Sequence, residues 1–253
     1  MKLSGVVITH NEEKNIERCL KSLHFCDEII VVDSKSSDHT RDIASKLATR
    51  VEVRDWKGYV DQKNFAGGLA TNDWILSIDA DEEVTPELKK EILTSFSTSG
   101  GNRFSAFSIP RKTMHFGRWI RHGGWYPNRL VRLFDKKKGA WVGTELHERW
   151  ETTGEVASFE HHLLHYSFED LADQVSRNNR YSSLGALALF QKGRRFSCLK
   201  LYVKTAYKFI ETYFIKLGLL DGYPGLIISV SAAYSVFLKW AKLWELENGE
   251  KKG

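Results

Sequence analysis

The chain has 253 residues, 42% of them apolar, with 19 Gly and only 4 Pro. That is enough for one large domain, or one domain with a smaller appendage, and it excludes a fibrous or disordered chain. The formal charge of +5 is modest, and without a recognised nucleic-acid motif beside it nucleic acid is not expected as a partner.

No charged and apolar leader with a cleavage site opens the chain, and the three cysteines, Cys19, Cys26 and Cys198, are odd in number and lack metal-ligand spacing. Neither a disulfide framework nor a zinc ribbon is expected, and a cytoplasmic setting is. Leu3 to Thr9 is a continuous, strand-like run that ends in His10-Asn11-Glu12-Glu13; Ile16, Cys19, Leu20 and Leu23 follow at helical spacing. Glu28 to Val32 repeats the strand signal and ends at Asp33-Ser34, and Thr40 to Leu47 reads as a second helix. Val51 to Val53 is a short third strand, and Tyr59 to Leu69 is helical until Gly67-Gly68 weakens it. Trp74 to Ile78 is the fourth strand, directly before Asp79-Ala80-Asp81, with Thr85 and Pro86 placed as N-cap and first residue of the next helix.

This alternation predicts an α/β fold with right-handed crossovers and a mostly parallel sheet flanked by helices. Ligands in such sheets bind outside the carboxyl ends of the strands, where Thr9 to Glu13, Asp33-Ser34 and Asp79-Ala80-Asp81 fall together. A lone D-x-D is commonly a pair of solvated surface acids; two further polar strand ends on the same edge favour a hard-oxygen site for Mg²⁺ or Mn²⁺. Neither G-x-G-x-x-G nor G-x-x-x-x-G-K-[ST] is present, so a nucleotide would be held through a metal and side chains.

Phe107 to Pro110 reads as a strand, and Phe116 to Tyr126 mixes aromatic rings with Arg, His and Gly. That mixture suits the faces and hydroxyl edges of a sugar, or else an aromatic loop packed on the sheet. Asn128 to Phe134 is another strand, with Arg129 and Arg132 expected near an acidic substrate. His161-His162-Leu163-Leu164-His165 lacks the glutamate of H-E-x-x-H, so zinc is set aside. From Phe168 the chain reads as helices. Leu199 to Leu217 carries an apolar face beside a ridge of Lys200, Lys204 and Lys208, suited to a membrane interface or to docking on the catalytic domain. Leu226 to Leu238 reads as too short to span a bilayer, and the tail from Glu245 to Gly253 as frayed.

The runs Val6-Val7-Ile8-Thr9-His10-Asn11-Glu12-Glu13, Val31-Val32-Asp33-Ser34 and Asp79-Ala80-Asp81-Glu82 closely resemble the family-2 glycosyltransferases of the GT-A fold. The later stretches Arg132-Leu133-Phe134, His147-Glu148, His165-Tyr166 and Leu220-Asp221-Gly222 are similar to the subgroup that adds a β-1,4-linked glucose to the heptose of a lipopolysaccharide core. The resemblance implies that Thr9 and Glu13 line the nucleotide pocket, that Asp33 contacts the base, and that Lys63 reaches a phosphate. Asp79 lies against the ribose or shares the metal, and Asp81 is the direct ligand, with His165 or His147 completing the shell. Glu148, with Glu145 as the second choice, is the base that takes the proton of the attacking hydroxyl. Trp125, Asn128, Arg132 and His147 fall on the acceptor side; many relatives carry an aspartate where this chain has Asn128.

The expected domains are 1–167, nucleotide-sugar-binding and catalytic, and 168–253, a helical extension that either meets the membrane or packs on the catalytic domain. The expected activity is an inverting transfer of glucose from UDP-glucose to a lipid-linked saccharide, on the cytoplasmic face of the inner membrane. A polyprenyl-phosphate hexosyltransferase and a non-catalytic nucleotide-sugar-binding protein are the alternatives.

Overall fold

The computed structural model describes residues 2–97, 103–144, 147–168 and 170–249. In the first half, β1 (Leu3–Thr9), α1 (Ile16–Ser22), β2 (Glu28–Asp33), α2 (Thr40–Leu47), β3 (Arg50–Val53), α3 (Tyr59–Leu69) and β4 (Trp74–Asp79) alternate as the sequence predicts. The strands lie in the order β3-β2-β1-β4, all parallel. Every residue of β1 is buried, as a central parallel strand covered on both faces requires. Its alternation feeds two cores: Leu3 and Val7 pack with Leu20, Leu76 and Leu88, while Val6 and Ile8 pack with Ile30, Val32 and Ile75.

After a short β5 (Glu82–Val84), α4 (Pro86–Ser97) starts where the sequence places it. Thr85 Oγ1 accepts from Leu88 N at 3.2 Å, a side-chain N-cap. The remaining strands are β6 (Ala106–His115), β7 (Arg118–Trp119), β8 (Asn128–Asp135), β9 (Gly139–Val142), β10 (Arg149–Thr152), β11 (Val156–Ser158) and β12 (Leu163–His165). β8 enters antiparallel beside β4, β6 lies antiparallel to β8, and β12 and β5 complete the row. The sheet is thus parallel on one side and mixed on the other, and β9 and β10 form a separate hairpin.

Two local expectations change. Gly67-Gly68 does not interrupt α3; a Cβ on Gly67 would sit 3.4 Å from Ile75 Cδ1 of β4, an ordinary contact distance. The apolar carboxyl-terminal run is longer than its uninterrupted stretch, because polar and small residues continue the helix at both ends. It forms α7 (Gly222–Gly249), and Gly218–Gly249 is long and apolar enough to cross a membrane by length and composition. The tail is helical to Gly249, and residues 250–253 lie outside the described residues.

The chain divides into two compact units, Met1–Lys112 with Asn128–Tyr166, and Thr113–Pro127 with Ser167–Gly253. In the second, α7 packs on α5 (Leu171–Gln191) and α6 (Cys198–Ile210) around Ala186, Leu201, Trp240 and Leu243. The segment 113–127, contiguous in sequence with the sheet, belongs to this helical unit. The buried Asp221 carboxylate accepts from the backbone N–H of Arg121 at 3.1 Å and of His122 at 2.8 Å. Gly123, at φ +67°, donates to Lys216 O at 2.8 Å.

Candidate active site

Parallel register brings the predicted polar residues of the first unit to one edge. Thr9 is level with Asp33 across β1 and β2, and Ile8 with Asp79 across β1 and β4. Beyond β1 the chain turns through Asn11, at φ +54°. Its amide oxygen accepts from Ser37 N at 2.8 Å, and Glu13 Oε2 accepts from His39 N at 3.0 Å. These bonds lock the loops after β1 and β2 together. Thr9 Oγ1 and Gln62 Oε1 are buried without a hydrogen-bond partner among the described residues, and Gln62 Nε2 donates to Ser34 Oγ at 2.9 Å.

Asp33, expected at the base, is fully buried. One of its oxygens accepts from Ser36 N at 2.8 Å and the other from the Ser36 hydroxyl. The carboxylate therefore shapes the turn after β2.

At the end of β4 the Asp79 carboxylate is gripped by the Arg132 guanidinium and by Lys63 Nζ at 3.1 Å. Burial alone would raise its pKa, but Arg132 and then Lys63 outweigh burial and hold it well below the usual carboxylate range. Glu82, fully buried, accepts from Arg132 Nη2 at 2.8 Å and Arg111 Nη1 at 3.2 Å, and its other oxygen accepts from Asp79 N at 2.9 Å. For Arg132, burial disfavours the charge, yet Asp79 and Glu82 outweigh it and raise the pKa. Expected on the acceptor side, Arg132 is instead 2% exposed, because two carboxylates inside the sheet claim its guanidinium.

Lys63 is likewise withdrawn, with its side chain 2% exposed. Its ammonium lies 3.2 Å from Glu148 Oε1 and 4.6 Å from the Trp141 ring centroid. The two carboxylates expected at donor and base thus share one ammonium ion. Glu145 lies outside the described residues.

β12 pairs with β5 so that His165 stands opposite Glu82. This register sets His165 Nε2 3.2 Å from Asp81 Oδ2, while His161 turns instead to Glu91 at 2.9 Å. The described residues hold no group of three or more His, Cys, Asp or Glu placed to bind a metal. Asp81 with His165 supplies one oxygen and one nitrogen donor, a set that suits Mn²⁺ or Mg²⁺ if substrate oxygens and water fill the remaining positions. Asp79, held by two cations, does not join that pair.

Of the acceptor-side residues, Asn128 starts β8 opposite Arg111 and His147 is exposed, its N–H donating to Thr144 O at 3.0 Å. Trp125 lies in the helical unit, edge-on to His115 at 5.4 Å between centroids. The sequence reading missed Glu82 and Arg111. Glu82 stands beside Asp79-Ala80-Asp81, but a partner 50 residues away in Arg132 leaves no local trace.

Residues 4–153 match the family model described as Glycosyl transferase family 2. The chain belongs to that family. It is 34% identical to an uncharacterised glycosyltransferase of Rickettsia typhi, over 97% of this chain and 87% of that one. It is 27% identical to the lipopolysaccharide core biosynthesis glycosyltransferase LpsC of Rhizobium meliloti, over 97% and 93%. Among solved structures it is similar to S. aureus TarS 1-349, at 15% identity and a TM-score of 0.49 over 98% of this chain and 92% of that one. As a glycosyltransferase it moves a sugar from a donor to an acceptor, and the strand-end carboxylates are its candidate machinery.

Proposed function

We propose that this glycosyltransferase moves glucose from UDP-glucose, with inversion, onto a hydroxyl of a lipid-linked saccharide such as the lipopolysaccharide inner core. The observation that carries the reading is the Asp79–Lys63–Glu148 arrangement, in which a strand-end carboxylate and a carboxylate of the β9–β10 connection meet at one ammonium. The name of the Rhizobium meliloti relative supports the class of acceptor.

In this reading the nucleoside seats among Thr9, Glu13 and the turn built by Asp33, and Asp79 faces the ribose. Asp81 and His165 hold a divalent cation, which when bound offsets the negative charge gathering on the departing diphosphate. Glu148 takes the proton of the acceptor hydroxyl as that oxygen forms the new glycosidic bond. The bond from the anomeric carbon to the diphosphate breaks, and UDP leaves with its electron pair. Asn128 and His147 meet the acceptor.

Access to a lipid-linked acceptor is supported by the helical unit. Leu199 is 72%, Tyr202 66%, Phe214 52% and Tyr223 83% exposed, and between Lys192 and Lys216 there are seven basic residues and one acid, Glu211. A second copy would set like charges against each other, whereas the cytoplasmic face of the inner membrane offers anionic headgroups over an apolar layer. The length of α7 gives weight to a second acceptor, polyprenyl phosphate, whose transferases often carry membrane-spanning helices. The test is incubation of the protein and Mn²⁺ with UDP-glucose and either truncated-core lipopolysaccharide or polyprenyl phosphate, with products read by mass and by the anomeric coupling in NMR. One added hexose in the β configuration on lipopolysaccharide is expected. Transfer only to polyprenyl phosphate selects the second acceptor, and transfer to neither lipid contradicts both.

A further inference from the structure

Three consecutive side chains of α3 fasten three different parts of the sheet unit. Gln62 Nε2 donates to Ser34 Oγ after β2, at 2.9 Å. Lys63 joins Asp79 at the end of β4 to Glu148, at 3.1 and 3.2 Å. Asn64 makes a two-way bond with the backbone of Trp141 in β9: its Nδ2 donates to Trp141 O at 2.9 Å, and Trp141 N donates to its Oδ1 at 3.0 Å.

Glu148 itself stands outside regular structure, between β9 and β10. Its connection begins at Gly143, at φ +112°, a turn that fixes the backbone but not the carboxylate. Lys63 is the partner that its carboxylate finds among the described residues, and about a quarter of the side chain, 23%, stays exposed. The ammonium cannot serve a solvent-borne phosphate at the same time, since the Lys63 side chain is 2% exposed and already holds two carboxylates beside the Trp141 ring.

We infer that Lys63, anchored through Asn64 to β9, is the positioning residue that sets the Glu148 base in register with the donor-side Asp79, and is not a phosphate ligand. This rests on the reading of Glu148 as base. A base must stand within hydrogen-bond reach of the attacking hydroxyl, and a displacement near 1 Å costs on the order of 100-fold in rate. Lys63 acts on turnover through Glu148, so its effect vanishes where Glu148 can no longer take a proton.

The experiment is a double-mutant cycle on the whole chain. UDP release from UDP-glucose with truncated-core lipopolysaccharide gives kcat, and calorimetry gives the Kd of UDP-glucose, for wild type, Lys63→Met, Glu148→Gln and the double variant. Lys63→Met is expected to lower kcat by about 100-fold and to leave the donor Kd within about threefold. In the Glu148→Gln background it is expected to lower kcat by less than about threefold, as residues that act as a unit do. Asn64→Ala, which removes no charge, is expected to reproduce a smaller loss of the same kind, and it serves as the test where Lys63→Met does not fold. A loss carried by donor Kd, or one of full size in the Glu148→Gln background, overturns the positioning role. Full activity of Glu148→Gln overturns the base assignment as well.

Discussion

In the sheet unit, Lys63, Arg132 and Glu82 are almost wholly withdrawn from water and are joined, through Asp79, across α3, β4, β8 and β5. In the helical unit, Leu199, Tyr202 and Tyr223 stand more than half exposed, while Lys200 and Lys204 lie 6.0 and 5.5 Å from the Trp240 ring. Charge is inside in one unit and apolar surface is outside in the other. Neither arrangement is a route to stability, since buried ion pairs recover little more than their desolvation cost and exposed apolar groups gain nothing from folding. Under the proposed function the first is a fixed electrostatic frame for a reacting bond and the second a surface for a lipid cover.

The contrast would break if the charges of the sheet unit were as dispensable as surface pairs. Arg132→Met leaves Glu82 and Asp79 short of their shared cation, and a loss of about 3–5 kcal/mol is expected in denaturant unfolding, the usual result of breaking one side of a buried pair. The helical unit has its own tight point, where a Cβ on Gly225 would meet Gly218 O at 1.9 Å. Gly225→Ala is expected to cost about 1–3 kcal/mol in the same measurement, as overpacking does.

Acid sharpens the contrast further. The Asp79 pKa is depressed below its ordinary 3.8 in the folded chain, so its stabilisation is present above that value and is lost as pH falls below it toward the folded pKa. Urea midpoints measured downward from pH 5 are expected to drop, and Asp79→Asn to flatten part of that drop. The smallest effect on stability belongs to the outward face of α6. Tyr202→Ser with Ile210→Ser is expected to change unfolding by no more than about 0.5 kcal/mol per site. Co-sedimentation with anionic vesicles should nonetheless fall several-fold.

The first half of the sheet was open to reading because each strand and helix there carries its own period. Leu3–Thr9 and Thr40–Leu47 match to the residue, and Thr85 caps the helix it precedes. Which strand ends would face one another followed from parallel topology. What each side chain would touch did not. Asp33 holds Ser36 through both its oxygens, and Arg132 lies between Asp79 and Glu82, contacts that no local pattern announces. Lys63 gave no sign of its tie to Glu148, 85 residues on. The length of α7 was hidden because Gly222, Pro224 and Gly225 stand where the apolar run begins, yet Pro is tolerated in a first turn, where the missing N–H has no partner to lose.

The central claim is that Glu148 is the base of a sugar transfer while the donor is held elsewhere at the strand ends. It is tested most directly by comparing wild type and Glu148→Gln in one experiment, with UDP-glucose affinity by calorimetry and turnover by UDP release in the presence of Mn²⁺ and truncated-core lipopolysaccharide. Donor affinity within about threefold of wild type, with turnover lower by about 10²–10⁴ as loss of a general base predicts, is the expected result. Equal turnover in the two proteins would contradict the claim.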